Sequence, residues 1–250
     1  MNAWPAEESF LTSHVIDFHR ALFEAIIHYG DPDRAFQQQR YVKSTMPFMG
    51  VNAQNVRQAA KRTFLEWTWE MQSEWLEAII RVWRYATYRE GRYAAIQLAE
   101  FKPYGHWLDP NALPVIEEMI VSGSWWHFVD VLVTRHMGTL LQNHRNSIRP
   151  VILRWAVADD VWKRRTVLLV QLKSKRSTDV GLLLYAVDAS KKEDNFFLRK
   201  GIGWALREYS KTDPQTVLDY VSANSTELST LSKREALKIL LNSDKLDQIP

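Results

Sequence analysis

Asp109-Pro110-Asn111-Ala112-Leu113-Pro114-Val115-Ile116-Glu117-Glu118-Met119-Ile120-Val121-Ser122-Gly123-Ser124-Trp125-Trp126-His127-Phe128-Val129-Asp130 holds one helix, one break and the opening of the next helix. Asp109 is an N-cap acid, and Pro110 suits a first helical position, where its missing N–H is not needed. Gly123 or Ser124 then starts the helix that holds Trp125. The pattern predicts helices over 110–121 and 125–142, with a connection so short that the two must run antiparallel.

The same punctuation recurs along the chain. Asp31-Pro32 and Asp213-Pro214 repeat the acid–proline start, and Ser232-Lys233-Arg234-Glu235 reads as a capping box. Apolar spacings of three and four persist, Gly is scarce at 9 residues, and no stretch alternates cleanly as a strand does. The expected helices lie near 9–29, 33–45, 53–66, 71–85, 88–103, 110–121, 125–142, 147–157, 160–173, 178–190, 194–210, 214–223 and 232–242. Helices of this length and density fit stacked pairs of about 40 residues, a solenoid, better than a four-helix bundle. The expectation is an all-α repeat fold in one domain, residues 1–250, with bends at 100–108 and 173–178. One helix of each pair lines a concave face, the usual binding surface of such a fold.

Composition narrows the function classes. Zero Cys excludes disulfides, thiolate metal sites and Cys nucleophiles, and fits a reducing compartment. Met1-Asn2-Ala3-Trp4-Pro5-Ala6-Glu7-Glu8 carries no basic, apolar leader, and no stretch approaches the length of a membrane span, so a cytoplasmic protein is expected. Eleven Trp is unusual and means that either the core or a binding surface uses indole heavily. Net charge is only +3, but Arg145 to Lys211 holds 15 Lys/Arg against 7 Asp/Glu, a local balance of 15 − 7 = +8. Such a concentration points to a polyanion, nucleic acid first, or to a solvated basic surface with no partner.

Three segments carry candidate chemistry. Trp125, Phe128, Val129 and Leu132 form a core stripe, with Trp126 and Asp130 one turn apart at its edge. A carboxylate beside an indole face is a cation site, unless Asp130 simply pairs with a nearby Arg. In Asp160-Val161-Trp162-Lys163-Arg164-Arg165, Arg165 falls on an otherwise apolar stripe while Lys163 and Arg164 read as solvated. Arg165 needs a partner there, either Asp130 or a phosphate. On the helix from 194, Lys200, Trp204, Arg207 and Lys211 form a cationic stripe around one indole, suited to a sugar-phosphate backbone or to a surface helix whose Trp caps the core. Gly201 and Gly203 on that helix mark a close approach to its backbone.

These segments resemble the AlkD family of DNA alkylation repair proteins. The resemblance covers roughly 35–242. It rests on Arg40-Tyr41-Val42-Lys43 with Phe48-Met49-Gly50, Ser124-Trp125-Trp126 to Asp130, and Trp162 to Arg165. Gln171-Leu172-Lys173, Ile202 to Tyr209 and Leu231-Ser232-Lys233-Arg234-Glu235-Ala236 complete it, and His127-Phe128 departs from the pattern. It implies a HEAT-like repeat fold and a monofunctional glycosylase that removes 3-methyladenine and 7-methylguanine from double-stranded DNA; a monomer is expected because no exposed apolar stripe is left over once the core is assigned. No base flipping, no metal and no other cofactor are implied. Asp130 is then the catalytic carboxylate, Trp126 and Trp204 the aromatic walls, Arg165 a holder of the DNA backbone and Tyr41 an accessory residue. Lys173, Lys200 and Arg207 are further expected DNA contacts.

The chemistry stands apart from the name. Alkylation at N3 or N7 makes the purine a good leaving group, so no general acid is required. Bond cleavage places oxocarbenium charge on the deoxyribose, which one carboxylate can stabilise while it positions water. The rival classes are a DNA-binding relative without hydrolysis and a protein-binding adaptor.

Overall fold

The computed structural model describes residues 13–242; the N-terminal leader reading and the first residues of the helix expected over 9–29 lie outside them. Fourteen α-helices and no strand occur among the described residues. The fold is an all-α helical repeat. No described helix is long and apolar enough to cross a membrane. The chain divides into two compact units, Met1–Met119 and Ile120–Pro250.

The first unit holds α1 (Ser13–Ile27), α2 (Pro32–Val42), α3 (Ala53–Glu66), α4 (Gln72–Arg84) and α5 (Arg89–Ala99). Asp31 caps α2 by accepting from the Arg34 amide at 3.1 Å, with Pro32 at the first helical position as expected. Helices α1 and α3, α3 and α5, and α4 and α5 pack together, the pattern of stacked pairs. Phe18, Leu22, Ile26, Trp75, Ile79 and Trp83 are almost wholly buried in this core. The bend expected over 100–108 is a 3-10 turn, Lys102–Trp107. Asp109 caps a second 3-10 turn, Pro110–Ala112, rather than an α-helix, and α6 (Leu113–Gly123) follows it.

In the second unit, α7 (Trp126–Val131), a π-helical turn (Leu132–Met137) and α8 (Gly138–Asn143) form one continuous helix, matching the span expected from 125 to 142. The π turn was not foreseen. It follows Asp130 directly, and Thr134 donates its hydroxyl to the Asp130 carbonyl at 2.7 Å. A π turn shifts the backbone ladder by one residue, so a nearby hydroxyl can satisfy a displaced carbonyl. Next come α9 (Arg145–Ala156), α10 (Val161–Leu169), α11 (Val180–Ser190), α12 (Phe196–Ser210), α13 (Pro214–Ala223) and α14 (Thr230–Asn242). The expected bend at 173–178 contains a 3-10 turn, Lys175–Ser177. Helices α9 and α11, α10 and α12, and α12 and α14 stack alternately.

Gly201 and Gly203 explain the α12 packing. A Cβ on Gly203 would stand 2.4 Å from the Glu235 Cβ and 3.0 Å from the Ser232 carbonyl, so only glycine admits α14 at this distance. On the other side, a Cβ on Gly201 would meet Leu168 at 3.2 Å and the Arg165 guanidinium at 3.4 Å. One expected detail is corrected: α14 starts at Thr230, and Ser229 caps it by accepting from the Ser232 amide at 3.0 Å. Ser232 is the residue capped, and its hydroxyl donates to the Arg199 carbonyl on α12.

Candidate functional site

Asp160 caps α10 by accepting from the Trp162 and Lys163 amides, which sets the register that turns Arg165 inward. The Arg165 side chain is 5% exposed and meets Asp130, 15% exposed, in a two-pronged ion pair. Nε donates to Oδ1 at 2.8 Å and Nη2 to Oδ2 at 2.9 Å. Nη1 donates to the Phe197 carbonyl at 2.5 Å, so one guanidinium joins α7, α10 and the start of α12. The planar fork suits this geometry. Asp130 is thus the partner that Arg165 needed, and each carboxylate oxygen keeps lone-pair capacity for a further donor.

An aromatic cluster meets this pair at Phe197, whose carbonyl Arg165 binds. Phe197 contacts Trp125 edge-on at 5.9 Å and Trp162 at 5.0 Å. Trp126, half-buried, lies one turn before Asp130 on the same helix and meets the His127 ring edge-on at 4.4 Å. Trp204 is half-buried on α12, two turns after Phe197. The 11 Trp are shared between roles: Trp75 and Trp83 are core, whereas Trp126 and Trp204 keep surface.

Lys200 and Arg207 flank Trp204 and converge on a residue that sequence reasoning missed. Glu235 of α14 accepts from Lys200 Nζ at 2.7 Å and from Arg207 Nη1 at 2.6 Å. These bonds, the Lys200 one first, hold the Glu235 carboxyl below the usual range despite partial burial. The signal was Gly203 between the two cations, which admits α14 and the acid that it carries. Arg164 is likewise no solvated charge: it binds Glu193 at 2.7 Å and the Ala189 carbonyl. Lys163 lies over the Trp155 ring at 5.6 Å.

The basic stretch is therefore mostly neutralised in place. Asp179 takes Arg145 and Arg149, Glu227 takes Lys191 and Lys192, Asp194 takes Arg199 and Glu208 takes Lys211. Lys173, Lys175 and Arg176 are exposed and have no carboxylate partner among the described residues. Tyr41 belongs to the first unit, at the end of α2, and is 77% exposed. The described residues hold no cluster of three metal-ligating side chains.

Residues 22–240 match the family described as DNA alkylation repair enzyme. The chain belongs to that family. A solved structure described as a predicted DNA alkylation repair enzyme from Enterococcus faecalis superposes with a TM-score of 0.75. It is 28% identical, over 84% of this chain and 96% of that one. No curated protein matches the chain. Membership assigns the protein a role in repair of alkylated DNA, and it extends over both units.

Proposed function

We propose that this family member is a monofunctional DNA glycosylase that hydrolyses the N-glycosidic bond of cationic N3- and N7-alkylated purines in duplex DNA, as a monomer and without drawing the base into a pocket. The observation that carries the reading is the Asp130 carboxylate, fixed on both oxygens by a buried Arg165 yet 15% exposed beside half-buried Trp126. A carboxylate held in this way needs no reorganisation when positive charge develops on the deoxyribose, and electrostatic stabilisation of that kind is commonly the largest catalytic contribution. The remaining lone pairs of Asp130 accept from and orient the attacking water. Trp126 and Trp204 supply indole faces that favour the sugar cation and exclude bulk water.

In this reading Arg165 first positions Asp130. Its fork has five N–H groups, and those left over from Asp130 and Phe197 can meet a backbone phosphate. Lys173 adds a free cation, Lys200 and Arg207 exchange part of their bond to Glu235 for phosphate, and Tyr41 contacts DNA from the first unit. The test is release of 7-methylguanine from a defined duplex by the wild type and by Asp130→Asn. Release by the wild type alone supports the reading.

A second reading has a specific observation behind it. Asp130 is closed on Arg165, and Lys200 and Arg207 on Glu235, which is what a DNA-binding relative without hydrolysis also permits. No release by either protein, with salt-sensitive duplex binding retained, would favour it.

A further inference from the structure

A cavity of the second unit lies outside the Asp130 site. It has a volume of about 520 Å³ between α10, α11, the loop joining them and the last turns of α12. That is the volume of a small-ligand pocket. Leu172 and Tyr209 border it over a floor of the buried Leu168, Leu183 and Ala205. The Tyr209 hydroxyl has no hydrogen-bond partner among the described residues, and burial raises its pKa. Lys175 and Arg176 give the other side positive charge, while Lys211 on the same rim is paired with Glu208.

The loop wall is preformed. Gln171 is bonded twice to the Asp179 backbone, donating to its carbonyl at 3.0 Å and accepting from its amide at 2.8 Å. This staple closes residues 172–178 into a fixed loop. Within it Ser174 is right-handed helical at φ −74, and Lys175 adopts φ +50. That alternation is the backbone pattern of an anion-binding concavity, in which the Ser174 amide is already spent on the Gln171 carbonyl. The exposed Lys175 and Arg176 side chains extend from the same turn and have no carboxylate partner among the described residues.

An apolar wall with one aromatic edge does nothing for a bare phosphate, and a cationic turn does nothing for a neutral base. Together they fit one chemistry. We propose that this cavity binds a nucleoside monophosphate unit, its phosphate on the Ser174–Arg176 turn and its nucleoside against Leu172 and Tyr209. The inference stands on the cavity and goes beyond the glycosylase reading. Two sources share this chemistry: a nucleotide of the DNA strand and a free mononucleotide. Trp204 and Glu208 lie at i and i+4 on α12 and Lys211 is its C-cap, so the rim of the cavity continues the face that bears Trp204.

The test is titration calorimetry of the intact protein with deoxyadenosine monophosphate, inorganic phosphate and deoxyadenosine, repeated on the Lys175→Ala/Arg176→Ala double variant. Both side chains are exposed, so the replacement leaves the core intact. Expected are tighter binding of the monophosphate than of either fragment and a loss of at least about tenfold in the double variant. Displacement of the monophosphate by a 7-methylguanine duplex assigns the site to DNA, and simultaneous binding assigns it to a free nucleotide; both support the proposal. No binding by the wild type, equal binding of inorganic phosphate, or unchanged binding in the double variant overturns it. Asp130→Asn should bind the monophosphate as the wild type does whether or not 7-methylguanine is released, which separates this outcome from that of the glycosylase assay.

Discussion

Glu90 in the first unit and Asp130 in the second are both helical acids, and they have opposite surroundings. Glu90 is 1% exposed and accepts three backbone amides, from Met49, Gly50 and Val51, at 3.0, 3.0 and 3.1 Å. Every donor is main chain, and the loop they clamp contains Gly50 at φ +83, where a Cβ would lie 1.8 Å from the Asp31 carbonyl. Asp130 instead faces a single cation, keeps lone pairs and surface, and lies one turn from half-buried Trp126. A carboxylate enclosed by amides organises backbone, whereas one held from a single side remains available to a substrate. Phe48-Met49-Gly50, part of the family resemblance, thus has a structural explanation, while Asp130 combines its structural pairing with Arg165 with the surface that the proposed chemistry needs.

The sharpest break between the two is a crossed pair of substitutions. Asp130→Asn keeps the shape of the side chain and removes the charge, so 7-methylguanine release should fall by about 10²–10³-fold, the range for losing one preorganised electrostatic group. Circular dichroism should show the helices formed, although Arg165 loses its buried counter-charge and stability falls by up to about 3–5 kcal/mol. Glu90→Ala should cost stability without lowering release. It leaves three amides in the Met49–Val51 loop without their acceptor, at about 1–3 kcal/mol for a buried orphan, so urea unfolding should show a loss of about 3 kcal/mol or more. Release per folded molecule should be unchanged. If Glu90→Ala abolished release in protein shown to be folded, the contrast between the two acids would fail.

Local signals made the fold legible, and long-range pairing did not. Asp31-Pro32 and Asp213-Pro214 announce helix starts because cap and first turn are sequence neighbours, and both acids cap as expected. Asp109-Pro110 shows the limit: the same dipeptide opens a 3-10 turn, and α6 begins at Leu113. The π turn after Asp130 leaves no mark in a 3.6-residue periodicity. Arg165 could be read as a cation in need of a partner, but the choice between Asp130 and phosphate depended on a contact 35 residues away. Glu235 was hidden differently, because Ser232-Lys233-Arg234-Glu235 satisfies a local capping rule. The structure caps from Ser229 and turns Glu235 across to α12.

Gly203 tests whether the α12–α14 approach matters to stability. With a Cβ 2.4 Å from that of Glu235, Gly203→Ala must push the helices apart, and overpacking of this kind costs about 1–3 kcal/mol. Thermal unfolding should show the loss although alanine is the better helix former. The Met49–Val51 loop and its Glu90 clamp should not respond.

Glu235 carries the smallest expected effect and brings the comparison to a third carboxylate, one that neither clamps backbone nor faces the proposed chemistry. It neutralises Lys200 and Arg207 on either side of Trp204. In Glu235→Gln both cations lose their counter-charge and become available to phosphate. Duplex affinity should rise, and the salt dependence should steepen by about one to two in the slope of log K against log salt. Stability should move the other way. The Glu235 carboxyl is held below its ordinary value of 4.5, so the ion pair contributes above that pH and its contribution is lost as pH falls through the depressed folded value. The stability advantage of wild type over Glu235→Gln should therefore be full at neutral pH and narrow only in acid. A variant that bound DNA with an unchanged salt slope would show that Lys200 and Arg207 serve α12–α14 packing alone, leaving Lys173, Lys175 and Arg176 as the cations available to the strand.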